Sequence, residues 1–226
     1  MQLRLITKNF LSYGVCLLGG KVAAAFLFAA APAAAADPVT LLALGDSLTQ
    51  GYGLPEEQGL VPQLDRWLEA HGVEAELING GVSGDTTAGG AARVDWSLTS
   101  EVGGMIVALG GNDLLRGIAP EVARANLEQI LKSAQSEGVE VLLVGMSAPG
   151  NYGPDYKAAF DAIYPELAQE YDTLLFRNFF AGLNEDDPAE ARRFFQPDGI
   201  HPNAQGVERI VEALGPAVSE LVARVK

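Results

Sequence analysis

The chain has 226 residues, 48% of them hydrophobic, and its 29 acidic and 15 basic side chains give a formal net charge of −14. Such a negative field repels nucleic acid and anionic membrane surfaces, so the composition argues against both as partners. With a single cysteine the chain has no disulfide framework, and its length is enough for one domain with a well-buried core.

The first 36 residues are typical of a secretory signal peptide. Arg4, Lys8 and Lys21 supply the positive charge, and the apolar stretch 22–36 ends in small residues that fit the A-x-A cleavage pattern. We therefore predict export, with residues 37–226 forming one mature domain in the periplasm or the medium. Three of the 15 basic residues and none of the 29 acidic ones precede residue 37, so the mature net charge is −17.

Two other interpretations of this N-terminus stay open. A retained membrane anchor is disfavoured because Lys21 interrupts the apolar run and the stretch after it is short for a membrane span. A lipid anchor on Cys16 is disfavoured by the bulky Tyr13 and Val15 that precede it. We expect no stable membrane insertion after cleavage.

The rest of the chain alternates between strand-like and helix-like segments. Short runs rich in Val, Leu and Ile have strand length, and the longer stretches between them have helical spacing. The strands are predicted at 39–45, 73–79, 104–110, 139–145 and 172–178, and the helices at 60–70, 87–98, 120–137, 156–170 and 204–225. This alternation predicts an α/β fold with a buried parallel sheet and crossover helices on both faces.

Residues of types that are used in catalysis follow four of the five predicted strands. Ligands of parallel sheets bind beyond the carboxyl ends of the strands, so these residues are expected on one rim. Each has an ordinary structural explanation when taken alone, since Ser and Asp cap helices and Gly, Asn and Asp shape turns. The four segments are Gly45-Asp46-Ser47, NGGVSGDTT (79–87), GGND (110–113) and PDGIHPN (197–203).

Together these residues predict a nucleophilic serine with its base. Of the two histidines, His71 lies at a predicted helix C-terminus, where a cation offsets the helix dipole. His201 instead lies in a loop, three residues after Asp198. Asp198 can accept a hydrogen bond from His201 Nδ1–H, which leaves Nε2 for the hydroxyl of Ser47.

Donors for a developing oxyanion are available at the neighbouring strand ends. They are the Ser47 amide at a helix N-terminus, the Gly84 amide in a glycine-rich loop and the side-chain amide of Asn112. The parts of an acyl-transfer site are therefore predicted on one rim. The chain has no G-x-S-x-G, no Walker-type GK[ST] and no Cys/His cluster for a metal.

These segments resemble the four sequence blocks of the SGNH, or GDSL, hydrolases. GDSLTQGYG, the glycine of VSGDTT, GGND and DGIHPN follow the order of the family. ALGGNDLLRG and APGNYGPDYKAAFDAIYPELA are similar to segments of the bacterial periplasmic acyl-CoA thioesterase I, lysophospholipase and arylesterase group. The likeness covers nearly the whole mature chain, and residues 178–196 fit it least.

The resemblance implies roles for the same residues. It makes Ser47 the nucleophile, Asp198 and His201 the other members of a triad, and Gly84 and Asn112 oxyanion donors together with the Ser47 amide. It also implies a flavodoxin-like three-layer α/β/α sandwich with a five-stranded parallel sheet and no metal or organic cofactor.

The predicted function is a serine esterase that forms an acyl-enzyme and acts on a small-molecule ester or lipid, with a monomer expected. Short aryl or alkyl esters and zwitterionic lysophospholipids suit the negative field better than phosphate-rich thioesters do. A carbohydrate O-deacetylase and a non-catalytic binding domain remain alternatives, although Trp67 and Trp96 fall in helical segments and form no evident glycan platform. One apolar set flanks Asp198 and either lines an acyl groove or belongs to the core. Its members are Phe179, Phe180, Leu183, Phe194 and Phe195.

Overall fold

Five strands form one parallel sheet in a computed structural model that describes residues 38–183 and 188–226. Their order is β2-β1-β3-β4-β5, which is the flavodoxin-like order. The strands are β1 (Val39–Gly45), β2 (Ala75–Gly81), β3 (Val102–Ala108), β4 (Glu140–Val144) and β5 (Leu174–Phe176). The predicted signal peptide, residues 1–36, lies outside the described residues.

The five long helices that the sequence predicts are all present, with ends within two residues of the predicted ones. Of three further short helices, only the start of the one at Ser47 was predicted, because a helix of four to six residues is too short to show a hydrophobic period. The helices are α1 (Ser47–Gln50), α2 (Leu60–Ala70), α3 (Thr87–Ser97), α4 (Gly111–Arg116), α5 (Pro120–Ser136), α6 (Pro154–Glu170), α7 (Pro188–Ala191) and α8 (Ala204–Val225). Single 3₁₀ turns lie at Glu56–Gln58, Gly150–Tyr152 and Arg192–Phe194.

The helices cover the sheet in two layers, which completes the predicted α/β/α sandwich. One layer is the pair α2 and α8, and the other contains α3, α5 and α6. Gly104 in β3 leaves room for Leu41 of β1 and for α8, because a side chain there would overlap Leu41 and crowd Val225. Strands β1, β3 and β4 are buried along most of their length, as continuous apolar runs predict.

Strand β2 differs from the prediction in position and burial. It lies at an edge of the sheet, so only Leu77 of its seven residues is buried. It also runs two residues further than predicted, because Gly80 and Gly81 continue the pairing with the end of β1. A side chain at Gly81 would collide with the backbone of Gln50, so this glycine lets α1 lie directly over the end of β2.

The sheet order reverses between β1 and β3, and this places a crevice at their carboxyl ends. The tight turn from β1 into α1 depends on Gly45, where a Cβ would overlap the side chain of Thr49. Ser47 is the first residue of α1 and therefore lies at that crevice. Within residues 38–183 and 188–226, no helix is both long and apolar enough to cross a membrane.

Candidate active site

The structure brings Ser47 and His201 into hydrogen-bond contact. His201 Nε2 lies 2.9 Å from Ser47 Oγ, and His201 Nδ1 lies 2.7 Å from Asp198 Oδ2. Ser47 is 9% exposed, so its hydroxyl sits at the base of the crevice rather than on an open surface. The three side chains form a line in the order that the sequence predicts.

Asp198 is held by its own loop. Its Oδ1 accepts hydrogen bonds from the backbone amides of Ile200, at 2.9 Å, and His201, at 3.0 Å. The bond from the His201 ring, followed by these two amides, lowers the pKa of Asp198 to about 2. Asp198 is therefore an anion throughout the neutral range and can only accept from the imidazole.

A second set of contacts fixes the histidine loop to the segment that follows Ser47. The side-chain amide of Gln196 donates to the carbonyls of Tyr52, at 2.8 Å, and Pro202, at 3.0 Å. The Gln196 backbone amide donates to the His201 carbonyl at 2.8 Å. The ring of Tyr52 lies against the imidazole, with 4.6 Å between the ring centroids. The orientation of His201 thus depends on both segments.

The predicted oxyanion donors line the same pocket as Ser47 and His201, a cavity of about 660 Å³. Gly84 has a φ of +87°, and its carbonyl accepts from Arg116 Nη2 at 2.7 Å. Asn112 donates from Nδ2 to Asp46 Oδ2 at 3.1 Å. One N–H of the Asn112 amide remains for a ligand in the pocket.

A part-buried ion pair and a buried hydrogen-bond network hold the Gly84 loop, and neither was predicted from the sequence. Arg93 bridges Asp85, at 2.7 Å, and the carbonyl of Gly45, at 2.9 Å, so it ties this loop to the end of β1. The carboxylate of Asp113 accepts from the Thr87 amide at 2.8 Å and from its hydroxyl at 2.6 Å. The contacts of Arg93 with Gly45 and of Asp113 with Thr87 span 48 and 26 positions, so no local pattern marks them.

Asp46 is almost completely buried, with 1% exposure. Its Oδ1 accepts from the Leu48 amide at 3.0 Å and so caps α1, as an ordinary N-cap does. Burial raises the pKa of Asp46 to about 6, against the opposing effect of its bonds from Leu48 and Asn112. From the sequence only a capping role is predicted for Asp46, because its contact with Asn112 spans 66 positions.

The apolar set that flanks Asp198 divides between pocket and core. Phe180 and Phe195 line the pocket, with 5.7 Å between their ring centroids. The other three members are at most 7% exposed and belong to the core, as the packing interpretation predicts. The mouth of the pocket carries further apolar side chains that are 41–60% exposed. These are Tyr52, Leu115, Tyr152 and Ile200.

His71 and the two tryptophans lie outside this pocket. The His71 ring stacks on Trp67 with 3.8 Å between centroids, and its Nδ1 lies 2.7 Å from the Trp67 carbonyl. This packing at the end of α2 agrees with the structural role predicted for His71. In the part of the chain that the structure describes, no group of three or more His, Cys, Asp or Glu is arranged to hold a metal ion.

Residues 43–209 match the profile of the GDSL-like lipase/acylhydrolase family. The chain belongs to this family. Esterase TesA of Pseudomonas aeruginosa is 38% identical over 184 residues, which cover 81% of this chain and 89% of that protein. A protein of Escherichia coli (strain K12) named thioesterase 1/protease 1/lysophospholipase L1 is 37% identical over 192 residues, or 84% of this chain and 87% of its own length.

The fold of this GDSL-family chain is similar to that of solved esterases. The crystal structure of AlinE4, an esterase of the SGNH-hydrolase family, superposes with a TM-score of 0.67 at 42% identity. The match covers 82% of this chain and 97% of AlinE4. These comparisons confirm the predicted family, the predicted fold and the prediction that the chain is an enzyme that hydrolyses ester bonds.

Proposed function

We propose that this GDSL-family enzyme hydrolyses carboxylic esters through an acyl-enzyme formed on Ser47. The main support for this proposal is the pair of hydrogen-bond contacts that link Asp198 to His201 and His201 to Ser47 Oγ, both shorter than 3 Å. They end at a pocket large enough for an ester and part of its acyl chain.

The proposed reaction has two stages. Ser47 Oγ attacks the ester carbonyl while His201 Nε2 takes the hydroxyl proton and then passes it to the departing alcohol. Asp198 keeps the imidazole in the tautomer that has Nε2 free. Water, deprotonated by His201, then attacks the acyl-enzyme and releases the acid and the Ser47 hydroxyl.

In both stages the negative charge forms on the former carbonyl oxygen. We assign its stabilisation to the amides of Ser47 and Gly84 and to the side chain of Asn112, which all line the pocket. The Ser47 amide lies at the start of α1, where backbone N–H groups have no partner within the helix. Donors fixed in this way need no reorganisation when the charge appears.

The side chains that line the pocket favour uncharged or zwitterionic substrates with an apolar chain. Phe180 and Phe195 form one side, and Leu115 and Tyr152 lie at the mouth. A mature chain with 29 acidic residues disfavours a substrate rich in phosphate. We therefore propose short aryl or alkyl esters and lysophospholipids as the preferred class, with thioesters as a further one suggested by the name of the E. coli relative.

We also propose that residues 1–36 are a signal peptide and that residues 37–226 are the exported enzyme, active as a monomer in the periplasm or the medium. The support is the charge pattern and small-residue end of the N-terminal stretch. The mass of the protein recovered from the periplasm tests this proposal. A mass that includes residues 1–36 would contradict it.

The first experiment compares purified 37–226 protein with its Ser47→Ala variant on p-nitrophenyl acetate, butyrate and octanoate. We expect turnover to fall to background, because the nucleophile is lost while the fold is kept. Ser147→Ala is the matched control, because Ser147 lines the same pocket but its hydroxyl contacts Lys157. Equal low rates for the wild type and Ser47→Ala would instead support a binding domain.

A further inference from the structure

We propose that Asp46 is a positioning residue for ester hydrolysis, which orients the Asn112 side chain so that an N–H rather than a carbonyl oxygen faces the oxyanion. The inference rests on the proposed function, because Asp46 acts through the donor role assigned to Asn112. It goes beyond the capping of α1, which accounts for only one of the two carboxylate oxygens.

The geometry gives each oxygen of Asp46 its own donor. Oδ1 accepts from the Leu48 amide at 3.0 Å, and Oδ2 accepts from Asn112 Nδ2 at 3.1 Å. Asp46, Ser47 and Asn112 all line the same pocket, and Asp46 immediately precedes the proposed nucleophile. The carboxylate therefore connects the start of α1 with the start of α4 at the site of reaction.

Asn112 needs such a contact because its amide has two ends of nearly the same shape. One end is an acceptor only and the other carries two donors. A carboxylate can only accept, so it binds the NH₂ end and turns the carbonyl end away. One N–H is used on Asp46, and the second is left for the oxyanion.

Capping alone does not explain an aspartate at this position. Asn and Ser cap helices about as well as Asp does, and neither brings a charge into a buried site. Asp46 is 1% exposed, and a buried anion close to a developing oxyanion is unfavourable for both charges. An ionised aspartate side chain can only accept hydrogen bonds, whereas the side chains of Asn and Ser also carry donors.

Asp46→Asn separates the two roles. The variant side chain still accepts from the Leu48 amide, but it presents its NH₂ group to Asn112. The Asn112 amide then turns over, so that its carbonyl oxygen faces position 46 and the pocket. We expect kcat on p-nitrophenyl butyrate to fall about 10²- to 10³-fold, as for the loss of an oxyanion donor, with KM nearly unchanged.

The decisive measurement is the kcat of the double variant Asp46→Asn/Asn112→Ala. If Asp46 acts through Asn112, the double variant has the kcat of Asn112→Ala alone, because no amide is left to orient. The inference is overturned if the fold-losses in kcat of the two single variants multiply in the double variant, or if Asp46→Asn keeps full kcat. Full kcat in Asn112→Ala instead removes the donor role of Asn112 and with it that part of the proposed function.

A matched control is Asp113→Asn, since Asp113 is also a buried carboxylate with two donors but contacts Thr87 instead of the Asn112 amide. Any fold-loss in kcat that Asp113→Asn causes should multiply with that of Asn112→Ala in the double variant Asp113→Asn/Asn112→Ala. Should Asp46→Asn fail to fold, Asp46→Ser serves in its place. Serine caps α1 but is too short to hold both partners, and its coupling with Asn112→Ala is judged by the same criterion.

Discussion

His201 Nε2 lies 2.9 Å from Ser47 Oγ, although 154 positions separate the two residues in the chain. The contact exists because β1 delivers Ser47 to the carboxyl edge of the sheet while the loop before α8 returns to the same edge. The Tyr52 carbonyl and the Gln196 side chain join the two segments and keep them at this distance.

Asp198→Asn is expected to lower kcat by up to about 10⁴-fold with little change in KM. The asparagine can present NH₂ to His201 and so favour the tautomer whose Nε2 carries the proton, which cannot then accept from Ser47. Steady-state kinetics on p-nitrophenyl butyrate at pH 8 measure the effect. A loss smaller than tenfold would mean that other groups orient His201.

Gly84→Ala is expected to lower kcat at least about tenfold, because a φ of +87° strains any residue with a Cβ and so moves the amide that we assign to the oxyanion. Gly84→Asn should lose less, since asparagine tolerates positive φ better than alanine does. Gly72→Ala is the control, with a φ of +70° and open space around the new methyl group. It should lower the melting temperature and leave kcat unchanged.

Phe180→Leu should change the preference among acyl chains, because Phe180 lines the pocket. The neighbouring Phe179 is 1% exposed and lies in the core, so Phe179→Leu should lower the melting temperature and leave the preference unchanged. The ratio of kcat/KM on octanoate to that on butyrate is the measurement. The same ratio in Phe180→Leu as in the wild type would exclude contact between Phe180 and the chain.

Asp46→Asn should stabilise the protein at pH 8 while it lowers turnover. The pKa of Asp46 in the fold is about 6, above its ordinary value of 3.8, so ionisation costs stability as the pH rises from 3.8 through 6. A rise of about two pKa units corresponds to roughly 3 kcal/mol, or a melting temperature several degrees higher for the variant at pH 8.

The pH dependence provides the check on this stability effect. Thermal melts of the wild type and Asp46→Asn at pH 4, 6 and 8 should show a gap that opens as the pH rises. A gap of constant size would mean that the charge of Asp46 is not its cause.

Much of the architecture followed from local patterns. The lengths of the apolar runs predicted five strands, and helical spacing predicted the five long helices. The differences lie where these patterns are weak. β5 has only Leu174–Phe176 against the predicted 172–178, and β2 runs on through two glycines that have no strand preference of their own.

Local patterns in the sequence predicted which residues meet at the strand ends and which of the two histidines contacts Ser47. They could do so because Asp198 and His201 are three residues apart and His71 is followed by a helix-ending glycine, and these are local relationships. The tertiary structure alone decided that Asp46 binds Asn112, that Arg93 holds Gly45, and which aromatic side chains reach the pocket. Those contacts depend on how separate βα units cross and on where side chains point in irregular loops, and no periodicity in the sequence encodes either.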